Sequence, residues 1–295
     1  MQLTIRNVSK TYPGGLRALK DVSLDIGPGM FGLMGPNGAG KSTLMRIVAT
    51  LQAADAGAVS FDETDTLKDK AGIRKRLGYL PQDFGLYPDV SAERMLDHIA
   101  FLKGIIERKE RRASVQAMLE RTNLADDKKR KLGTFSGGMI QRFGIAQALI
   151  ADPDLLVVDE PTAGLDPEER NRFLNVLSET SENKIVVLST HIVDDVRVLC
   201  PRMAVIHEGR ILFSGDTTDA LGALRNKLWR KTVGKDELAR YDEAYEVVLT
   251  RMVSGRMEIH VAGGRPPEEG FEPIEPDLED AYFRIVKGSR NESGR

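Results

Sequence analysis

Gly35-Pro36-Asn37-Gly38-Ala39-Gly40-Lys41-Ser42-Thr43 fits G-x-x-x-x-G-K-[ST], the loop that cradles a polyphosphate. The pattern gains meaning from its flanks. Ahead of it, Met30-Phe31-Gly32-Leu33-Met34 is a short apolar run suited to a buried strand. Behind it, Leu44, Ile47, Val48 and Leu51 recur at i, i+3, i+4 and i+7, one face of a helix. Strand, glycine loop and helix together let backbone N–H groups close around phosphates, and the helix N-terminus adds favourable potential. In this reading Lys41 reaches the β- and γ-phosphates of a nucleotide and the Ser42 hydroxyl ligates Mg²⁺.

Three further apolar runs deliver polar residues to their carboxyl ends, where ligands sit in α/β sheets. Leu155-Leu156-Val157-Val158 is followed by Asp159 and Glu160. A carboxylate in that place is the Mg²⁺ holder of P-loop enzymes, and Glu160 beside it is placed to orient or deprotonate a water. Ile185-Val186-Val187-Leu188 ends in Ser189-Thr190-His191. A lone histidine is usually structural; beside the other two strand ends, His191 becomes a functional candidate. Leu77-Gly78-Tyr79-Leu80 leads to Pro81-Gln82, where Gln82 is either a contact to Mg²⁺ or its water, or an exposed loop amide. Tyr12, in the turn Tyr12-Pro13-Gly14-Gly15, either stacks on an adenine or packs locally. Phe135-Ser136-Gly137-Gly138-Met139 opens a helix with Ser136 as its N-cap, a second anion-binding design in the same chain. Asp166-Pro167-Glu168-Glu169 reads as N-cap, N1 proline and acidic first turn.

The remaining pattern is mixed. Residues 2–9 and 16–26 read as strands, the second alternating through Val22, Leu24 and Ile26. Ala53 to Gly57 is a turn, and a polar stretch runs to about 76. Residues 91–151 are mostly helical, with Met95, Ile99, Leu102 and Ile106 as an expected core stripe. Met203–Ile206 and Arg210–Phe213 flank a Glu208-Gly209 turn as a hairpin. Beyond Gly215 come strands at 227–233, 245–253 and 256–262 and helices at 217–225, 235–242 and 277–287. The last helix places Leu278, Ala281, Tyr282 and Ile285 on one face.

Bulk properties exclude some classes. A net charge of −2 gives no electrostatic case for nucleic acid, and the Lys/Arg-dense stretch 103–131 is interleaved with acids, as a solvated helix face is. Cys200 is the only cysteine, so no intramolecular disulfide forms, which fits a reducing cytosol; it reads as a small buried hydrophobe. No stretch approaches the roughly 18 apolar residues of a membrane span, and the N-terminus lacks a signal-peptide pattern. The expectation is a chain soluble by itself whose membrane role is borrowed from a partner.

The ordered set resembles the ATP-binding cassette (ABC) family. Gly35 to Thr43 is similar to its Walker A loop, Gln82 to its Q-loop, Phe135 to Met139 to its signature and Leu155 to Glu160 to Walker B. Gly164-Leu165-Asp166 is similar to the D-loop, His191 to the switch histidine, and Tyr12 falls where the family stacks adenine. Met139 departs from the signature's usual glutamine, as in ATPases of bacterial drug, antibiotic and polysaccharide exporters. Leu278-Glu279-Asp280-Ala281-Tyr282-Phe283 resembles the C-terminal motif of daunorubicin-resistance-like ATPases, unless it is a plain amphipathic helix.

The resemblance implies an α/β P-loop cassette over 1–215, with an antiparallel β subdomain and a helical subdomain at about 86–150, and a small α+β accessory domain over 216–295. It implies ATP on the loop, Mg²⁺ held by Ser42, Gln82 and Asp159, a water polarised by Glu160, and the γ-phosphate contacted by His191 and Lys41. Two copies would close head to tail, so that Ser136, Gly137, Gly138 and Asp166 of one serve the other's nucleotide. The partner would be a separate membrane permease, driven through the Gln82-to-Ala100 segment at the cytoplasmic face of the cell membrane. Export is the first expectation and import the alternative. A non-transport ABC ATPase fits less well, because no long coiled coil interrupts the cassette and only one cassette is present.

Overall fold

The computed structural model describes residues 1–66, 68–82 and 85–293. β1 (Leu3–Thr11) and β2 (Arg17–Ile26) pair antiparallel, Leu3 with Ile26, Ile5 with Leu24 and Val8 with Val22, so the apolar half of each strand turns inward. Gly27 and Pro28 hand the chain to β3 (Gly29–Met34), buried along its last five residues. α1 (Lys41–Val48) buries Leu44, Met45, Ile47 and Val48. Leu51 does not extend that face: Thr50 turns left-handed at φ 61°, the helix has ended, and Leu51 is exposed.

β4 (Ala56–Phe61) and β5 (Thr64–Asp65) fall in the stretch expected to be turn and polar loop. Only Val59 and Phe61 carry an apolar signal. They suffice because β1 offers an open edge, where Val59 pairs with Ile5 and Phe61 with Leu3. The resulting antiparallel sheet runs β2-β1-β4-β5.

α2 (Lys70–Arg76) leads into β6 (Leu77–Leu80), followed by α3 (Ala92–Leu102), α4 (Arg108–Arg121) and α5 (Gly137–Leu149). These three later helices share a core built on Leu96, Val115, Leu119, Leu132 and Phe143. The expected Met95–Ile106 stripe is not its centre. α3 buries Ala92, Leu96 and Ala100, Met95 and Ile99 lie half-buried beside them, and Leu102 and Ile106 are 68% and 73% exposed. The helix stops at Leu102, and Gly104 at φ 101° breaks the phase before Ile106.

β7 (Leu155–Asp159), α6 (Pro167–Thr180), β8 (Ile185–Thr190), α7 (Val193–Leu199), β9 (Arg202–His207) and β10 (Arg210–Asp216) complete the main sheet, ordered β10-β9-β3-β8-β7-β6. All of its neighbours pair parallel except the β9–β10 hairpin. Met34 pairs with Thr190, Asp159 with Ser189 and Leu80 with Val158, so β3, β8, β7 and β6 end nearly level.

α8 (Thr217–Gly222), β11 (Leu228–Val233), α9 (Leu238–Ala244), β12 (Glu246–Val253), β13 (Arg256–Ala262), β14 (Glu272–Pro273) and α10 (Leu278–Ser293) follow. The strands form an antiparallel sheet, β12-β13-β11-β14, over a cluster of Val233, Tyr241, Ile259, Val261 and Phe271. α10 packs between this sheet and the main one, against Val248 and Leu249 of β12 on one side. Leu278, Ala281 and Tyr282 are buried as the helical spacing requires, with Val286 rather than Ile285 fully buried on the next turn. They join the same cluster as Met30, Val196, Cys200 and Met203. Cys200 is a packing residue there, and burial pushes its thiol up to about 12. No helix among the described residues is long and apolar enough to cross a membrane.

Candidate active site

The loop between β3 and α1 has its shape because two positions admit no side chain. A Cβ on Gly35 would stand 2.3 Å from the Ile206 carbonyl oxygen. Gly40 has φ +110°, and a Cβ there would stand 2.6 Å from the Ala18 carbonyl oxygen. Lys41 opens α1 and folds back under the loop. Its ammonium donates to the Gly35 carbonyl at 2.6 Å and the Pro36 carbonyl at 3.2 Å, and pairs with Glu160 Oε1 at 3.0 Å. A 320 Å³ cleft opens above, lined by Pro36, Asn37, Gly38, Gly40, Lys41, Ser42 and Thr43, with Tyr12, Gln82 and Glu160 closing its sides. Gly35 and Ala39 are buried beneath it.

Glu160 follows β7 in a left-handed conformation, φ 49°, which costs a non-glycine residue about 1–2 kcal/mol. Its N–H is secured by the Ser189 carbonyl at 3.0 Å. That turn aims one carboxylate oxygen at Lys41 and leaves the other 2.5 Å from His191 Nδ1. His191 therefore reaches the cleft through Glu160; its own ring is 45% exposed and borders a neighbouring cavity against α10. Asp159 is buried at the end of β7 and accepts a hydrogen bond from Ser189. Burial, reinforced by the Asp159 charge, pushes the nearby Tyr79 phenol up to about 12.

The Tyr12 hydroxyl bonds to Thr43 Oγ1 and Gln52 Oε1, both at 3.1 Å, which fixes the ring at the cleft wall. Gln82 is exposed at the other side. Ser136, Gly137, Gly138 and Asp166 are not among the residues lining this cleft. Ser136 caps α5 by accepting from Met139 N–H at 3.3 Å, and Asp166 caps α6 by accepting from Glu169 N–H at 2.9 Å. Met139 is buried with Phe135 and Phe143, a use for which an apolar residue suits better than an amide. The sequence reading passed over Asp195, a fully buried carboxylate of α7 bonded to Thr162, Arg170 and Thr190. Its only sequence signal is position, four residues beyond His191.

A second depression, of 640 Å³ and mostly apolar, lies between α1, α2, β6 and α3, with Leu51, Leu77, Tyr79, Ile99 and Leu102 on its walls. Residues 83 and 84 of the expected Gln82-to-Ala100 coupling segment lie outside the described residues.

Comparison with known proteins gives the same picture. Residues 19–163 match the family model described as ABC transporter. ABC transporter ATP-binding protein NatA of Bacillus subtilis is 37% identical over 68% of this chain and 82% of its own length. Linearmycin resistance ATP-binding protein LnrL of the same organism is 34% identical over 84% and 78%. Methionine import ATP-binding protein MetN 1 of Bacillus thuringiensis is 33% identical over 86% and 76%. Among solved structures, a dimeric post-hydrolysis state of an ATP-binding cassette with bound ADP and Pi superposes with TM-score 0.68 at 29% identity, covering 72% of this chain and 98% of that one. On these matches, this ATP-binding and ATP-hydrolysing chain belongs to the ABC transporter family.

Proposed function

We propose that the chain is the ATPase subunit of a bacterial exporter, working as a head-to-tail pair on a separate membrane permease. The observation that carries the site assignment is the bonded run Lys41–Glu160–His191, its first two members buried, at the level ends of β3, β7 and β8. Backbone N–H groups of residues 37–43 bind the phosphates, and Lys41 neutralises the transferred group. Tyr12 stacks on adenine. Glu160, held by its backbone turn, takes the proton of the attacking water, and His191 orients Glu160 and touches the γ-phosphate. Rate enhancement here is positioning and electrostatics.

The donor set suits Mg²⁺. Ser42, Gln82 and Asp159 offer a hydroxyl, an amide and a carboxylate oxygen, and Mg²⁺ is ordinarily held by one or two carboxylates together with substrate phosphates. The ion would supply positive charge against the phosphates, and Ser42 in the cleft, Gln82 at its side and Asp159 buried at the end of β7 are the residues that would hold it.

Ser136, Gly137, Gly138 and Asp166 sit at helix starts outside the Lys41 cleft, which supports their serving a partner copy's nucleotide. The Gln82-to-Ala100 segment couples the subunit to the permease at the cytoplasmic face of the membrane; the apolar depression that Ile99 of this segment lines supports that reading. Residues 216–295 act as an accessory unit of the cassette. Export follows the Leu278–Phe283 motif and a resistance-protein relative, whereas the MetN relative favours import. Identifying the copurifying membrane protein, then measuring the direction of ATP-driven transport in inverted vesicles, separates these.

Glu160→Gln should reduce hydrolysis by roughly 10²–10⁴, the usual worth of a general base, with ATP binding preserved. Unimpaired turnover of the purified variant overturns the assignment.

A further inference from the structure

Asp195 is a buried carboxylate that the hydrolytic reading leaves without a role. It is wholly inaccessible, yet its three side-chain partners come from three different parts of the site. Oδ2 accepts from Thr162 Oγ1 at 2.5 Å, two residues beyond Glu160. The same oxygen accepts from Thr190 Oγ1 at 3.3 Å, the residue before His191. Oδ1 accepts from Arg170 Nε at 2.8 Å, on the first turn of α6 just after Asp166. Thr190 Oγ1 in turn accepts the Ile192 N–H at 2.9 Å, so both neighbours of His191 are tied into the network.

A charge is costly to bury unless its lone pairs are filled, and here two hydroxyls and a guanidinium fill them. Such a network has one satisfied arrangement and resists deformation. Its position matters because Glu160 sits in a left-handed turn whose backbone is otherwise held by its N–H to the Ser189 carbonyl at 3.0 Å and by a long bond, 3.4 Å, from the Ala163 N–H to its own carbonyl. Bonds of Asp159 and Glu160 already join this turn to Ser189 and His191; Asp195 adds a second tie on each segment, at Thr162 and Thr190, and fastens both to α6 through Arg170.

We propose that Asp195 is a positioning residue for hydrolysis: through Thr162 and Thr190 it holds the Glu160 and His191 segments in register, and through Arg170 it couples them to the start of α6. This rests on the reading of Glu160 and His191 as the hydrolytic pair.

The test uses the full chain with five variants: Thr162→Val, Thr162→Ser, Asp195→Asn, the Thr162→Val/Asp195→Asn double and Glu160→Gln. Thr162→Val removes one hydroxyl at nearly constant shape, while Thr162→Ser restores it. Displacement of reacting groups by about 1 Å costs roughly 10²-fold. Thr162→Val and Asp195→Asn are each expected to lower kcat on that scale with the ADP dissociation constant unchanged, and Thr162→Ser to keep kcat near the parent's. The Thr162→Val/Asp195→Asn double variant is expected to be no slower than the slower single, because both break one linkage. If Asp195→Asn does not fold, the Thr162 pair decides. A kcat within twofold of the parent in Thr162→Val, while Glu160→Gln is inactive, overturns the proposal. So does equal loss in Thr162→Val and Thr162→Ser, or multiplication of the two defects in the double variant. An active Glu160→Gln instead overturns the hydrolytic reading beneath it.

Discussion

The Lys41 ammonium and the Glu160 carboxylate are 3.0 Å apart, and both side chains are almost closed to solvent, at 4% and 5%. Removing one member of such a pair leaves an uncompensated buried charge, at a cost of about 3–5 kcal/mol. Lys41→Ala should therefore destabilise the fold as well as abolish nucleotide binding. His191 offers Glu160 a hydrogen bond and does not replace the ammonium. Adding Glu160→Gln to Lys41→Ala should recover much of the lost stability without recovering activity. Urea unfolding of parent, singles and double variant measures this; a double variant less stable than Lys41→Ala would show that the pair is not a stabilising unit.

The starts of α5 and α6 predict a composite site. Ser136 and Asp166 cap their own helices, and a Cβ on Gly138 would stand 3.1 Å from the Glu169 carboxyl carbon. Ser136→Arg should abolish turnover while leaving ATP binding to one copy nearly intact. Mixed with Lys41→Ala, it should form heterodimers with one doubly defective and one intact site, and so regain part of the activity. Turnover strictly proportional to enzyme concentration down to a demonstrably monomeric sample would contradict this.

A pH dependence is built into the seat of α10. His260 on β13 lies between Asp280 of α10, at 2.6 Å from Nδ1, and Glu258, at 3.2 Å from Nε2. Arg251 on β12 reaches Glu258 at 3.0 Å and lies within 4.0 Å of Asp277 and Glu279. Burial alone would lower the His260 pKa, but bonding to Asp280, aided by Glu258, raises it above its ordinary 6.5. A raised folded-state pKa gives stability that is fully present below about 6.5 and lost as pH climbs through the folded value. The stability gap between the parent and His260→Gln should be widest near pH 6 and narrow toward pH 9. A gap that widens with rising pH would reverse the assignment.

Much of this architecture is legible where side-chain chemistry is local. The P-loop, the Val- and Leu-rich runs of β7 and β8, and the caps at Ser136 and Asp166 need only their neighbours in sequence. β4 is not legible, because Val59 and Phe61 become a strand only against the edge of β1. The α3 face was misread because its core is Ala92, Leu96 and Ala100, two of them small, while the larger Leu102 and Ile106 point to solvent. Tyr12, Lys41, Gln82 and Glu160 were legible as candidates and meet in one cleft. That His191 meets it only through Glu160, and that Asp195 binds three segments, depends on strand register and the turn at residue 160. Motif spacing does not encode those contacts.

The last helix yields the sharpest stability prediction. An amphipathic face at the end of a chain could cover its own small sheet, the cassette or another copy. α10 lies between its own sheet and the cassette: Leu278, Ala281 and Tyr282 share one cluster with Val248 and Leu249 of β12, with Val196 and Cys200 of the α7 region and with Met203 of β9. α8 adds Ala220 to the same cluster, with Leu224 just beyond it. A chain ending at Gly215 would therefore expose the apolar underside of the main sheet. It should unfold without a cooperative transition or aggregate, although every P-loop residue is retained. Leu278→Ala tests the same contact without deleting the segment. Leu278 is 2% exposed, and truncating a buried leucine costs about 2–5 kcal/mol, depending on how far the cavity collapses. Thermal and urea unfolding of Leu278→Ala should show that loss, with ATP affinity unchanged under conditions where the variant remains folded. A 1–215 fragment that unfolds cooperatively and binds ATP as the parent does would mean that the α10 face is dispensable to the cassette core.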